Sequence, residues 1–182
     1  MKLHLFNLLI LMLLFVNLRT NAQDSCFNKN AVLMEIGGNG LLYSINYERF
    51  VSKNLNAKVG NSFFKIIEKQ TDKSMIVMSY PISFNYLINL SKQNHFIETG
   101  VGVMNLITSG DLVEYNSVTN YYLNPFLNLG YRYKPTKNRF LFRIGFSPFL
   151  GTKSITNPTD QRFQPLGSKV QIWGYTGIGY RF

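Results

Sequence analysis

Apolar and polar residues alternate along most of this chain with a period of two. Ile76, Met78, Tyr80, Ile82, Phe84, Tyr86 and Ile88 fall on one side of an extended chain, with Ser79, Ser83, Asn85 and Asn89 on the other. Successive side chains of a strand point to opposite faces, so the segment predicts a β-strand with one apolar surface and one polar surface. The pattern recurs before it: Val32, Met34 and Ile36 alternate with Leu33, Glu35 and Gly37. Leu41, Tyr43, Ile45 and Tyr47 alternate with Ser44, Asn46 and Glu48, and Leu55, Ala57, Val59 and Phe63 with Asn56, Lys58 and Ser62. It recurs after it: Ile97, Thr99, Val101 and Val103 oppose Glu98, Gly100 and Gly102, while Tyr121, Leu123, Leu127, Leu129, Tyr131 and Tyr133 oppose Asn124, Asn128 and Arg132. Phe140, Phe142, Ile144 and Phe146 then oppose Arg139, Arg143 and Ser147. In the last segment Val170, Ile172, Thr176, Ile178, Tyr180 and Phe182 oppose Lys169, Gln171, Trp173 and Arg181.

Eight such segments predict an all-β fold, an eight-stranded antiparallel up-and-down transmembrane β-barrel after a cleaved signal peptide, because lipid-facing and lumen-facing positions must alternate in such a wall. Gly38–Gly40 (Gly-Asn-Gly) is expected to join the first two strands as a tight hairpin turn, since Asn-Gly tolerates the positive φ of a primed turn. No helix pattern follows this glycine cluster, which argues against a phosphate cradle. Reading 31–50 as one bent strand would give seven strands and break the even count. Short connections at 51–54, 91–95 and 134–138 alternate with longer polar ones at 68–74, 108–120 and 151–168. Outer-membrane barrels have short periplasmic turns and longer external loops, so both termini are expected in the periplasm. A soluble lipocalin-like barrel, the competing fold, would turn its apolar faces inward around a ligand.

The amino-terminal residues add an address. Lys2 precedes an apolar stretch, Leu8 to Leu18, and Thr20-Asn21-Ala22 supplies small residues for cleavage; residues 1–22 read as a signal peptide, too short in its apolar part to span a bilayer. Residues 23–30 then form a short periplasmic leader and 31–182 one barrel domain. A lone cysteine, Cys26, excludes an intramolecular disulfide framework. Removal of Lys2 and Arg19 with the signal leaves the formal net charge of +10 only slightly reduced, a balance suited to anionic surfaces. The cations are scattered and form no run or helical face, so nucleic acid is not the expected partner. Outer-membrane lipid head groups and the phosphates of lipopolysaccharide are. Aromatics make up 15% of the residues, and Tyr43, Tyr47, Tyr86, Tyr131, Tyr133 and Tyr180 fall toward strand ends, as interfacial belts require.

Several blocks are familiar. AVLMEIGGNGLLYSINYERF (31–50), YPISFNYLI (80–88), FIETGVGV (96–103), PFLNLGYRY (125–133), FLFRIGFSPF (140–149) and the terminal GIGYRF resemble small outer-membrane β-barrel proteins common in Bacteroidota, eight-stranded and OmpX/OmpA-barrel-like. The resemblance implies an outer-membrane barrel, and Ile178, Tyr180 and Phe182 are similar to the signal that the barrel-assembly machinery recognises. It carries over no catalytic residue.

The polar faces hold the candidate chemistry. Glu35, Glu48, Lys58, Glu98, Arg132, Arg143 and Arg181 are expected to form an ion network in a packed polar lumen, since eight strands enclose a space that side chains fill. A lipid-facing Arg or Lys costs about 2–4 kcal/mol at mid-bilayer, which explains the segregation. Trp173 faces the lumen and could plug it. His95, in an expected periplasmic turn, lies across the membrane from where external lipid A would be attacked and reads as a surface-turn residue and not a general base; Asp111 and Glu114 in an outer loop read as solvating charges. No catalytic, metal or cofactor site is expected. The sequence therefore favours a non-enzymatic structural or surface-interaction role through 108–120 and 151–168, with a lipid-modifying enzyme, a narrow channel or a secreted binding barrel as alternatives.

Overall fold

The computed structural model describes residues 28–68, 73–90, 94–110, 118–136, 138–152 and 170–182, without the side chains of Glu68 and Val118. Eight strands close into a barrel in which each pairs antiparallel with its sequence neighbours: β1 (Asn30–Gly37), β2 (Tyr43–Phe50), β3 (Leu55–Glu68), β4 (Lys73–Asn89), β5 (His95–Gly110), β6 (Val118–Tyr133), β7 (Phe140–Leu150) and β8 (Val170–Arg181). β1 closes the wall against β8, from Ala31↔Arg181 to Gly37↔Tyr175. Residues 31–50 are thus two strands, paired from Asn30↔Arg49 to Ile36↔Tyr43.

The apolar faces point outward. Ile45, Phe84, Val101, Phe146 and Ile172 are 58–71% exposed, in a wall whose inward neighbours Asn46, Asn85, Glu98 and Ser147 are buried. Soluble monomers rarely expose contiguous apolar patches above a few hundred Å². This orientation excludes the lipocalin-like reading and makes hydrocarbon the solvent of the outer face. Membrane-crossing strands need about 9–11 tilted residues; β3 to β6 have 14 to 17, so they continue beyond a bilayer core at the end away from the termini, here called the far end.

Strand extension corrects the expected loop lengths. Residues 108–110 and 118–120, read as loop, belong to β5 and β6, and the connection expected at 68–74 shrinks to 69–72. Asp111, Glu114 and residues 153–169 lie outside the described residues. The first hairpin also differs. Gly38–Gly40 is a short 3-10 turn, and positive φ occurs at Gly37 (76°), Gly38 (63°) and Leu41 (69°), with Asn39 not among them. A five-residue connection thus replaces the tight primed turn. Gly37 must be glycine twice over: its φ is left-handed, and a Cβ there would meet the Gly174 carbonyl oxygen at 2.3 Å. Leu41 does not face lipid with Tyr43 and Ile45; it folds inward and is buried. Asn89, expected inside, is exposed at the end of β4, and His95 opens β5 opposite Tyr133 instead of lying in a turn.

Candidate functional site

The lumen is the site that the strands build, and it has three zones. Nearest the termini, six side chains from six strands form an alternating chain of charge. Lys58 Nζ donates to Glu35 Oε2 at 3.1 Å, and Arg143 Nη1 donates to the same oxygen at 3.1 Å. Arg143 Nη2 lies 3.2 Å from Glu98 Oε1. Arg132 then grips Glu98 with two nitrogens, Nε at 3.0 Å and Nη2 at 3.1 Å, and reaches Glu48 Oε2 through Nη1 at 2.7 Å. The order Lys58, Glu35, Arg143, Glu98, Arg132, Glu48 places three cations and three anions in line, all of them buried. A bidentate Arg–carboxylate pair is among the stronger polar contacts, and neutrality of the whole set is what makes its burial tolerable. Arg143 also stacks 4.4 Å over the Tyr175 ring.

The strands dictate this convergence. Glu98, Arg132 and Arg143 sit on inward positions of β5, β6 and β7, and Arg132↔Arg143 are cross-strand partners. Two facing guanidinium groups repel unless carboxylates stand between them, which Glu98 does by touching both. Arg181 departs from expectation. It is buried at the terminal end but meets no carboxylate among the described residues; its Nη2 donates to the backbone carbonyls of Pro135 and Asn138. It fastens the β6–β7 turn.

Above the charges lies a relay of amides. Asn39 donates to Asn128 Oδ1 at 2.9 Å, Asn128 to Asn85 Oδ1 at 2.8 Å, and Asn85 to Asn56 Oδ1 at 2.9 Å, while the Ser147 hydroxyl donates to Asn128 at 2.9 Å. Asn39 comes from the first hairpin's turn, which explains why that turn folds into the barrel. Toward the far end the lumen becomes apolar: Leu41, Met75, Val77, Met104, Leu106, Tyr122, Phe126 and Phe149 pack together, with Phe64 and Trp173 against them. Phe126 and Phe149 meet edge-on at 6.1 Å and Phe149 meets Trp173 at 6.3 Å. Gly102 makes space for this plug, because a Cβ there would lie 2.4 Å from the Phe126 ring. The expectation of a packed polar lumen therefore holds for the terminal half and fails for the far half. Trp173 is inside, as its alternation required.

Asn39 and the plug residues other than Leu41 and Trp173 were not singled out in sequence, although Tyr122, Phe126 and Phe149 share the parity of Asn124, Asn128 and Ser147. That parity was the available signal. Ile178, Tyr180 and Phe182 face outward, each more than a third exposed. His95 Nδ1 contacts the Tyr131 hydroxyl. Among the described residues no group of three His, Cys, Asp or Glu is placed to hold a metal.

No family model and no curated protein matches the chain. Solved structures do. The chain is similar to the N-terminal β-barrel domain of Pseudomonas aeruginosa OprF, at 10% identity over 85% of this chain and 98% of that one, with a TM-score of 0.55. It is also similar to Neisserial surface protein A, at 13% identity over 84% of this chain and 94% of that one, with a TM-score of 0.52. What the chain shares with both is the eight-stranded, closed, antiparallel fold of small outer-membrane β-barrels.

Proposed function

We propose that this protein is an integral outer-membrane barrel with both termini in the periplasm, acting by binding and not by turnover or solute passage. The observation that carries the reading is the pairing of an apolar outer belt with a lumen filled along its length by ion chain, amide relay and apolar plug. A wall of this kind anchors in lipid, and a filled interior offers no route for solutes. Contact with partners then falls to the far end, through segments 108–120 and 151–168, since loops on a rigid scaffold carry recognition; the likeness to a Neisserial surface protein supports an outward role. Lipids of the outer membrane, lipopolysaccharide included, surround the belt, and Ile178, Tyr180 and Phe182 engage the assembly machinery during insertion. Heat modifiability of protein from the outer-membrane fraction tests the anchor: the unboiled band is expected to migrate faster. Recovery of a soluble periplasmic protein without a shift would overturn it. In planar bilayers the folded chain is expected to give no steady conductance, and open-channel steps would overturn the filled-lumen reading.

A further inference from the structure

Among the described residues, the basic side chains of the terminal rim crowd one side. Lys29, Arg49, Lys53, Lys134, Arg139 and Arg181 follow one another around the β6–β7 turn, β8, β1, β2 and the β2–β3 turn. Backbone bonds link them: Arg181 N to Arg139 O at 2.8 Å, Phe50 N to Lys29 O at 2.7 Å, and the Asn30↔Arg49 pair. Lys134 Nζ reaches Lys53 O at 3.2 Å. Among the described residues no Asp or Glu side chain lies on this rim, because Glu35, Glu48 and Glu98 are sequestered in the lumen. On the opposite side the described residues Asn89, Leu90, Asn94 and His95 bring no Lys or Arg, and Lys92 of the same connection lies outside the described residues. Arg181 and Lys134 are committed to turn carbonyls; Lys29, Lys53 and Arg139 are exposed and Arg49 half-buried. Arg139 Nη1 donates to the Tyr180 hydroxyl at 3.2 Å, which places an interfacial aromatic in the same patch.

A second feature lies on the same strands. A groove of about 810 Å³ crosses β6, β7, β8 and β1, lined almost wholly by apolar atoms, with Ile36, Tyr131, Ile144, Phe146 and Thr176 around the side-chain gap at Gly174. A Cβ at Gly174 would find its nearest neighbour, the Gly145 carbonyl oxygen, at 3.9 Å. Along β7 the groove begins five to seven residues from Arg139. At about 3.3 Å per residue and a tilt of about 35–45°, this is about 12–19 Å of depth, close to the half-thickness of a hydrocarbon core of about 30 Å.

We propose that this side of the barrel binds an anionic phospholipid: its phosphate-bearing head group is held at the basic rim that Lys29, Arg49, Lys53 and Arg139 form, and one acyl chain lies in the groove over Gly174. The site deepens the membrane-barrel reading and rests on it. Charge complementarity selects the head group, since each exposed Lys or Arg near a surface attracts anionic lipid. The apolar groove holds the chain whatever the head group is.

The test uses the full folded chain in mixed micelles with equal phosphatidylglycerol and phosphatidylcholine of identical acyl chains, read by native mass spectrometry of retained lipids. Phosphatidylglycerol is expected to be retained over phosphatidylcholine by about fivefold or more, as one or more basic contacts at a surface supply. The double variant Arg49→Gln/Arg139→Gln is expected to bring the ratio toward one, and Gly174→Leu to lower retention of both lipids with the ratio kept. The wild-type comparison needs no variant to fold, and heat modifiability is measured on every sample. A heat-modifiable wild type that retains the two lipids equally overturns the site and leaves the barrel standing; a chain without the shift overturns both. A folded Gly174→Leu variant with unchanged retention overturns the groove as the acyl-chain seat.

Discussion

The two halves of the lumen fill the same kind of space with opposite chemistry. At the terminal end, six charged side chains pair with one another in a line; at the far end, rings and thioethers interlock. The wall outside is the same in both halves, so the difference comes from the inward residues alone. It teaches that the two halves respond to different insults. The charged half depends on complete pairing, because one missing partner leaves an uncompensated ion in a dry interior. The apolar half depends on volume, because a lost ring leaves a cavity that the closed wall cannot collapse.

The comparison can be broken most sharply at Arg132, which serves both Glu48 and Glu98. Arg132→Ala is expected to cost about 3–5 kcal/mol in urea unfolding from lipid vesicles, and more than any single truncation of a carboxylate. In a double-mutant cycle with Glu48→Gln, coupling of about 0.5–3 kcal/mol is expected, and additive behaviour would contradict the pairing. In the other half, Phe126→Ala is expected to cost about 3–5 kcal/mol, and Phe126→Leu distinctly less, because cost follows the volume removed. The amide relay between the halves should be milder. Asn128→Ala, which strips Asn39, Asn85 and Ser147 of their shared partner, is expected to cost about 1–3 kcal/mol by the same measurement.

The smallest effect concerns pH at the terminal rim. Lys134, in the β6–β7 turn, is buried beside the Phe50 and Phe96 rings at 4.6 and 4.8 Å. Burial first, and then the nearby Arg132 and Arg181, pull its ammonium down to about 8. The folded state therefore releases this proton more readily than the unfolded chain, whose lysine titrates near 10.4. Its contribution to stability is fully present above the unfolded value and is lost as pH falls through about 8. The difference in unfolding midpoint between wild type and Lys134→Met is expected to shrink as pH rises from about 8 to 10.4, and a pH-independent difference would refute the burial account.

The architecture was legible because one physical rule, alternation between lipid and lumen, writes itself into every strand. Ile82, Phe84 and Tyr86 could be assigned to one face without any knowledge of their partners. The ion chain was legible for a related reason: an inward charge must meet another charge, so Glu35, Glu48, Lys58, Glu98, Arg132 and Arg143 had to converge. Arg181 had the right parity, but height along the axis decides partners, and parity carries no height. The apolar plug escaped because the inward rows were expected to be polar throughout, although Tyr122 and Phe149 continue them. The first turn escaped because Asn-Gly chemistry is local, whereas Asn39 is held by Asn128, 89 residues away.

That last distance has a counterpart throughout the charge chain. Glu35, Glu48 and Lys58 belong to the first three strands, whereas Glu98, Arg132 and Arg143 come from β5, β6 and β7. Among these six, the first three carry an excess of negative charge and the second three of positive, and the Glu35–Arg143 and Glu48–Arg132 pairs across the closed lumen cancel them. An open sheet inserted in lipid would hold that imbalance against hydrocarbon, so half-closed forms are penalised and closure should proceed without a populated intermediate. The same six residues that fill the finished lumen thus act earlier, as a requirement that the two ends of the sheet find each other before either settles.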